Sequence, residues 1–346
     1  MTSRFLLTLF AIAFVLASNA HAKAWDDTND PSALNPAYQT NFAALPLTGN
    51  LAINPWANTY WESALGSINL RWNQPTPQGF NYRLNTLEQL KAMTRDQLAT
   101  LSPSEKFDIY NGSYDYPLHK EVSGFANPHD ASWKGLCDGW SMSAVQYAEP
   151  VAKDVTNADG IVVPFGSSDT KALLSYYAQM RSGVKQIYVG GQCTKLGALF
   201  HTEACSDINP GSLHVIMANQ LGLMKKAFMV DRDPGSQIWN QPVYGFTTTV
   251  VGSAQSDEPK AASGVLVHSI LFYTDELPNS LWTPVVNTPA FTFDKIEMDY
   301  ILDLDAAGNI IGGSYQNNSD HPDLAWLPDS QIKIEGDFSN LNNLIQ

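Results

Sequence analysis

The chain has 346 residues, with 34 Asp and Glu against 20 Lys and Arg, a formal net charge of −14. So acidic a surface argues against nucleic acid and against anionic membrane as partners. The length suffices for one large domain or two ordinary ones.

Met1-Thr2-Ser3-Arg4, an apolar run from Phe5 to Leu16, and Ala20-His21-Ala22 have the order of a secretory signal peptide. Residues 1–22 are expected to be removed near Ala22, giving a secreted or periplasmic protein. The apolar run is about 12 residues against the ~20 that a membrane span needs, and nothing later is longer, so no membrane insertion is expected. Residues 23–54 are rich in Asn, Pro, Thr and Ala, and an extended, loosely packed lead-in is expected, a candidate pro-segment. Trp56, Tyr60, Trp61 and Trp72 then crowd together. They suit core packing, with a carbohydrate platform as the alternative.

Helix signals follow. Thr86 can cap Leu87 to Met93, and Thr94 can cap Arg95 to Leu101. Ser102-Pro103-Ser104-Glu105 supplies a cap, a first-turn proline and a glutamate three residues on. Tyr110 to Trp133 is expected to be an aromatic loop, Ile161 to Val163 a short strand, and Asp169 to about Met180 a helix capped by Ser167 or Ser168. Further on the pattern changes to strands at Leu213–Ala218, Ala227–Val230, Val243–Val251, Gly264–Tyr273 and Ile296–Leu304. Asp305 to Asn309 reads as a hairpin turn rather than a calcium loop, which needs more ligands at tighter spacing. A helical first half followed by an antiparallel sheet predicts one α+β unit over residues 55–346.

The stretch Trp133 to Ala144 carries the chemistry. Cys137 follows a glycine, and Met142, Val145 and Ala148 run on at helical spacing until Glu149-Pro150 ends the run. That places Cys137 in the first turn of a helix, where unpaired N–H groups and the dipole favour a thiolate and can steady an oxyanion. The other reading is a small buried hydrophobe. Of the three cysteines, Cys193 and Cys205 are close enough in sequence to pair as a disulfide, which would leave Cys137 as the free thiol. A thiolate nucleophile needs a base and a group to orient it. His119, His129 and His201 fall in loop-like sequence and are expected to be solvated, His268 sits within a strand, and His321 precedes a proline. His214 opens a predicted strand whose predicted neighbour ends in Asp231, so the two are expected side by side, with Asp233 as the alternative orienter. An ordinary polar His–Asp pair is the competing reading. Only one thiol is free and no histidine pair stands at ligand spacing, which disfavours zinc.

Ile238-Trp239-Asn240-Gln241-Pro242-Val243-Tyr244-Gly245-Phe246 resembles the Trp-Asn-Gln-Pro-Val-x-Gly-Phe peptide of the transglutaminase elicitor family, known from plant-pathogenic oomycetes and found also in bacteria. Leu136 to Trp140, Tyr147 to Pro150, Pro164 to Asp169 and His321 to Pro328 resemble the same family, in the same order. The resemblance implies a papain-like, transglutaminase-like fold and calcium-associated acyl transfer from peptidyl glutamine to a primary amine. Cys137 would be the nucleophile, His214 the base and Asp231 the orienter. Tyr244 and Thr247 stand where the oomycete peptide has Arg and Lys, so elicitor activity is not implied. Residues 55–346 are thus expected to form the catalytic domain of a secreted protein-glutamine gamma-glutamyltransferase. Its partners would be glutamine-containing proteins and primary amines such as lysine side chains. The mechanism itself requires no cofactor. A papain-like cysteine protease and a catalytically silent secreted binding protein are the alternatives.

Overall fold

The computed structural model describes residues 24–72, 82–191, 207–233, 235–317 and 320–345. The predicted signal peptide, His201 and the predicted Cys193–Cys205 pair lie outside these residues. In chain order the elements are β1 (Thr48–Asn50), α1 (Leu87–Ala92), α2 (Arg95–Ala99), α3 (Pro103–Tyr110), α4 (Pro117–Phe125) and α5 (Cys137–Gln146). The strands β2 (Lys153–Thr156) and β3 (Val162–Phe165) precede α6 (Ser167–Met180), β4 (Gln186–Gly190) and α7 (Pro210–Met217). A π-helical turn, Ala218–Met224, leads into β5 (Phe228–Asp231), β6 (Asn240–Ala254), β7 (Ser263–Thr274), β8 (Phe293–Leu304), β9 (Ile310–Tyr315) and β10 (Leu324–Pro328).

The first helices start where the caps predict. Thr86, Thr94 and Ser102 each accept the backbone N–H three residues on, and Gln89, Gln97 and Glu105 reach back to the cap. Two orphan donors are satisfied at each start. Helix α4 corrects the expected aromatic loop. Pro117 occupies its first turn, and the Asp108 carboxylate accepts the N–H groups of Leu118 and His119, each at 3.0 Å. The larger correction is at Leu213–Ala218, expected as a strand and found in α7 and the turn that continues it. Every residue of α7 is buried, so no polar face marks the 3.6-residue period. Its start was nonetheless written in Asn209-Pro210, where Asn209 Oδ1 accepts the Gly211 N–H at 2.9 Å.

Among the described residues, eight strands form one antiparallel sheet in the order β4-β10-β5-β6-β7-β8-β9, with β1 added on β6. Strand β5 shows how the sheet divides the molecule. Phe228 and Val230 pack into the core that holds Leu213, Val215 and Ile216 of α7, whereas Met229 between them packs into the core that holds Cys137 and Trp140. This is the alternation of a strand buried on both faces. The lead-in belongs to the α7 side and is not loosely packed. Trp25 and Leu45 are in that core, β1 pairs with β6, and Ser212 Oγ donates to the Asn29 carbonyl. Gly49 approaches Leu221 and Gly222 so closely that a Cβ would stand 2.7 Å from their backbone.

The helical side is fixed by two buried ion pairs. Lys106 Nζ meets Asp169 Oδ2 at 2.7 Å with both side chains wholly inaccessible, and Lys171 Nζ meets Glu149 Oε1 at 2.5 Å. Asp169 also accepts from Trp72 Nε1 and from Gly166 N–H, closing the cap of α6. Glu149 accepts the N–H groups of Val285 and Val286. The Tyr147–Pro150 and Pro164–Asp169 blocks are thus structural: their acids satisfy buried cations and loop amides. Isolated, any of these four charges would cost several kcal/mol, roughly the penalty of a buried unpaired ion.

Candidate active site around Cys137

Cys137 is the first residue of α5, as its sequence context predicts. The turn before it is held from outside: Leu136 N–H donates to the Tyr60 carbonyl at 2.6 Å. Gln179 of α6 accepts from Gly139 N–H and donates to the Gly135 carbonyl, both at 3.1 Å. Gly139 has to be glycine, because a Cβ there would overlap the Ser175 backbone carbonyl. Helices α5 and α6 therefore touch backbone to backbone, and the thiol end of α5 is rigidly placed.

The side chain is 5% exposed, with its sulfur 3.5 Å from Asp138 Oδ1 and 3.7 Å from the Ile238 carbonyl. Burial pushes the thiol well above its ordinary range, the Asp138 carboxylate adds to this, and a backbone N–H from Asn240 works the other way. The lowering expected from the helix terminus is therefore reversed: desolvation and a neighbouring negative charge outweigh the dipole.

Facing this turn is the β6–β5–β10–β4 part of the sheet. Asn240 of β6 donates from Nδ2 to Asp138 Oδ1 at 2.7 Å and accepts from Trp326 Nε1 at 2.7 Å. Gln186 of β4 donates to Asp138 Oδ2 at 3.1 Å. Asp231 ends β5 opposite Asn240 and Leu324, is 1% exposed, and accepts the Trp239 N–H at 2.8 Å. Burial pushes its carboxyl up to about 7, although the N–H groups of Trp239 and Asp233 oppose this. Asp138, Tyr188, Asp231, Ile238 and Asn240 line a cavity of about 360 Å³. Ile238 to Phe246 is read without the family as an exposed turn around Pro242 and a following strand; Ile238 and Asn240 line this cavity, and Asn240 to Val243 are buried inside β6, so the strand already runs through Pro242.

His214 does not join this group. It lies in α7, fully buried, with Nδ1 2.8 Å from the Tyr300 hydroxyl and its ring against Phe42. Asp231 shares the sheet face of Met229, whereas α7 packs on the face of Phe228 and Val230. The sheet stands between His214 and both Cys137 and Asp231, so the expected side-by-side pair is not formed. The cause is the helix found where a strand was predicted. Desolvation lowers the pKa of His214 to about 4, leaving it neutral. Asp233, the alternative orienter, follows β5 and gives its backbone N–H to Asp231 Oδ1 at 3.4 Å. His119, expected to be solvated, is instead largely buried in α4 beside Tyr82 at 3.0 Å. His129 is exposed as expected, His268 meets Asp299 at 2.9 Å, and His321 meets Asp207 at 3.0 Å.

Asn240, Gln186 and Trp326 were not singled out in the sequence. Asn240 and Trp326 lie within blocks that carried the family resemblance, which was the available signal. Among the described residues no three His, Cys, Asp or Glu side chains converge as a metal site requires. Asp305 accepts from the N–H groups of Ala307 and Asn309, the turn role predicted for it. Nor is any helix of the described residues long and apolar enough to cross a membrane.

Comparison with known proteins finds two similarities. Residues 110–269 match the family model described as transglutaminase elicitor. The fold is similar to the crystal structure of the GP42 transglutaminase from Phytophthora sojae, with a TM-score of 0.65 and 22% identity over 89% of this chain and 93% of that one. No curated protein matches the chain. The resemblance read from Leu136–Trp140 and Ile238–Phe246 thus falls inside residues 110–269, the segment that matches the transglutaminase elicitor family model, and the α+β fold is similar to that of the GP42 transglutaminase.

Proposed function

We propose that the protein is an acyltransferase of the transglutaminase class, moving the acyl group of a peptidyl glutamine onto a primary amine through a thioester on Cys137. One observation carries this reading. The free thiol begins a rigidly held helix, 3.5 Å from a carboxylate and against the wall of a cavity, within the family-matched segment. Asp138 takes the thiol proton and the sulfur attacks the glutamine side-chain carbonyl carbon. The C–N bond breaks, and ammonia leaves with the proton that Asp138 returns. The amine then attacks the thioester, the C–S bond breaks, and the sulfur takes up a proton from the attacking nitrogen. Water in place of the amine gives deamidation. The Cys137 and Asp138 amides at the start of α5, beside those that Tyr60 and Gln179 engage, steady the oxyanion. Asp231, on the opposite wall, holds and releases a proton near neutral pH. His214 has no part, because the sheet encloses it.

The reading includes export after loss of residues 1–22, with glutamine-bearing proteins and lysine-bearing proteins as partners. Calcium is suggested by the family resemblance alone, and no step is routed through it. A second reading, a catalytically silent binding protein, is favoured by the buried thiol and its raised pKa.

The test incubates the protein and Cys137→Ala with a glutamine-containing protein and a fluorescent primary amine, with and without calcium, and follows substrate mass. Amine incorporation lost in the variant supports acyl transfer. Backbone cleavage without incorporation points to a protease. No reaction, with Cys137 also inert to iodoacetamide after unmasking at high pH, leaves the silent reading.

A further inference from the structure

A second cavity, of about 620 Å³, falls within the size range of small-molecule sites. Trp239 lines it, whereas its neighbours Ile238 and Asn240 line the cavity at Asp138. Tyr60, Trp72 and Trp239, all half-buried, supply its aromatic surface. The polar atom of each ring is already engaged. Tyr60 Oη donates to the Ser132 carbonyl at 2.7 Å, Trp72 Nε1 to Asp169 at 2.8 Å, and Trp239 Nε1 to Gln237 at 2.9 Å. What these rings leave for a ligand is their apolar faces.

Three residues of the lining hold buried donors with nothing to bond. Trp61 and Ser67 are only 4% and 1% exposed, and Trp61 Nε1, Ser67 Oγ and Arg232 Nε have no hydrogen-bond partner among the described residues. Buried donors are nearly always paired, so three in one lining point to a ligand that brings acceptors. The same lining carries acceptors of its own, the carboxyl groups of Glu62, Asp275 and Glu276. Charge selects neither sign. The Arg232 guanidinium opposes a cation, and the carboxyl groups oppose an anion. Arg71, the other lining cation, is taken up by Glu105, which its Nε meets at 2.8 Å. A neutral ligand whose groups both donate and accept answers all of these at once. The hydroxyl is that group, with one donor and two acceptor lone pairs.

We propose that this cavity binds a neutral oligosaccharide. Sugar oxygens accept from Trp61, Ser67 and Arg232, sugar hydroxyls donate to the carboxyl groups, and the C–H faces of the sugar rings lie on the aromatic faces. The aromatic cluster that the sequence crowds between Trp56 and Trp72 is thus divided. Trp56 and Trp61 are buried in the core, while Tyr60 and Trp72 are half-buried in the cavity wall. The site stands whether or not Cys137 carries an acyl group.

Binding is measured calorimetrically on the wild-type protein and on Cys137→Ala. The neutral probes are maltotriose, cellotriose, mannotriose and triacetylchitotriose, beside trigalacturonic acid and a blocked lysine peptide. At least one neutral trisaccharide should bind at millimolar concentration, and equally to both proteins. Trp239→Ala should weaken it by about tenfold or more, through loss of the ring face. Arg232→Lys keeps the charge and removes Nε, and Ser67→Ala removes a donor and no ring; each should weaken binding by roughly three- to tenfold. Should Trp239→Ala lower the unfolding midpoint, the two donor variants decide. Absence of binding by every neutral probe overturns the site. Binding that survives the substitutions puts the sugar elsewhere and overturns it as well. Tighter binding of trigalacturonic acid or of the lysine peptide overturns the neutral class of ligand.

Discussion

Asn240 donates to Asp138 at 2.7 Å and, through its other side-chain atom, accepts from Trp326 Nε1 at 2.7 Å. One amide thereby ties the thiol-bearing helix to two strands of the sheet. Asn240→Ala leaves an indole N–H and a carboxylate oxygen without this partner. The expected loss is about 1–3 kcal/mol, the usual cost of orphaning a buried polar group, read as a lower midpoint in urea. Asn240→Asp should be worse above neutral pH, where a second carboxylate faces Asp138. An unchanged midpoint in both variants would show that the tie contributes nothing.

Asp138 has opposite effects on reactivity and on turnover. Its charge helps push the Cys137 thiol up. Asp138→Asn should therefore speed alkylation by iodoacetamide at pH 7 while slowing amine incorporation, because the proposed proton acceptor is gone. Alkylation of the wild type should accelerate steeply as pH rises, and paired alkylation and incorporation rates check both signs.

The Lys106–Asp169 pair predicts severe damage when broken on one side. Lys106→Met leaves a buried carboxylate with only Trp72 and Gly166 as donors. A loss of roughly 3–5 kcal/mol is expected. Adding Asp169→Leu should restore only part of it, since those two donors are then orphaned. Urea unfolding of the single and double variants gives the coupling.

His214 sets a pH dependence of stability. Its folded pKa is lowered from 6.5 to about 4. The unfolded chain takes up a proton below 6.5 and the folded one resists until about 4, so the contribution is intact above 6.5 and lost as pH falls through that window. The loss at its lower end is about 3 kcal/mol. Asp108 and Asp231, pushed up by burial, act in the opposite sense, so the wild type must be compared with His214→Gln. Their difference in unfolding free energy should shrink between pH 7 and pH 4.5.

Local signals were legible where a polar atom performs a local task. The caps at Thr86, Thr94 and Ser102, the start of α5 at Cys137, and the turn at Asp305 all follow from side chains bonding their own neighbourhood. The strands β6, β7 and β8 were found because β-branched and aromatic residues crowd them, although the bounds moved by up to three residues. What failed was long-range. Leu213–Ala218 is apolar throughout, so period could not separate a buried helix from a strand, and the misreading carried His214 to the wrong face. Strands β4 and β10 were missed because each is only five residues long and draws its stability from pairing far along the chain. Cys137 was located correctly and its thiol misjudged, because helix polarity is local whereas burial is a property of the assembled cores.

Strand β5 gives alternate side chains to opposite cores within four residues. Sliding it by a single position would keep both interiors greasy yet deliver the Asp231 carboxyl to the side of α7, away from the thiol. Composition alone cannot prevent that exchange. Pairing with β6 and β10 fixes the registration from both sides, and the Asp323 N–H, bonded to the Asp231 carbonyl at 3.0 Å, adds an anchor beyond the end of the ladder. The chemistry proposed for this cleft therefore depends on alignment along one short strand, and its most sensitive positions include neighbours that never touch a substrate.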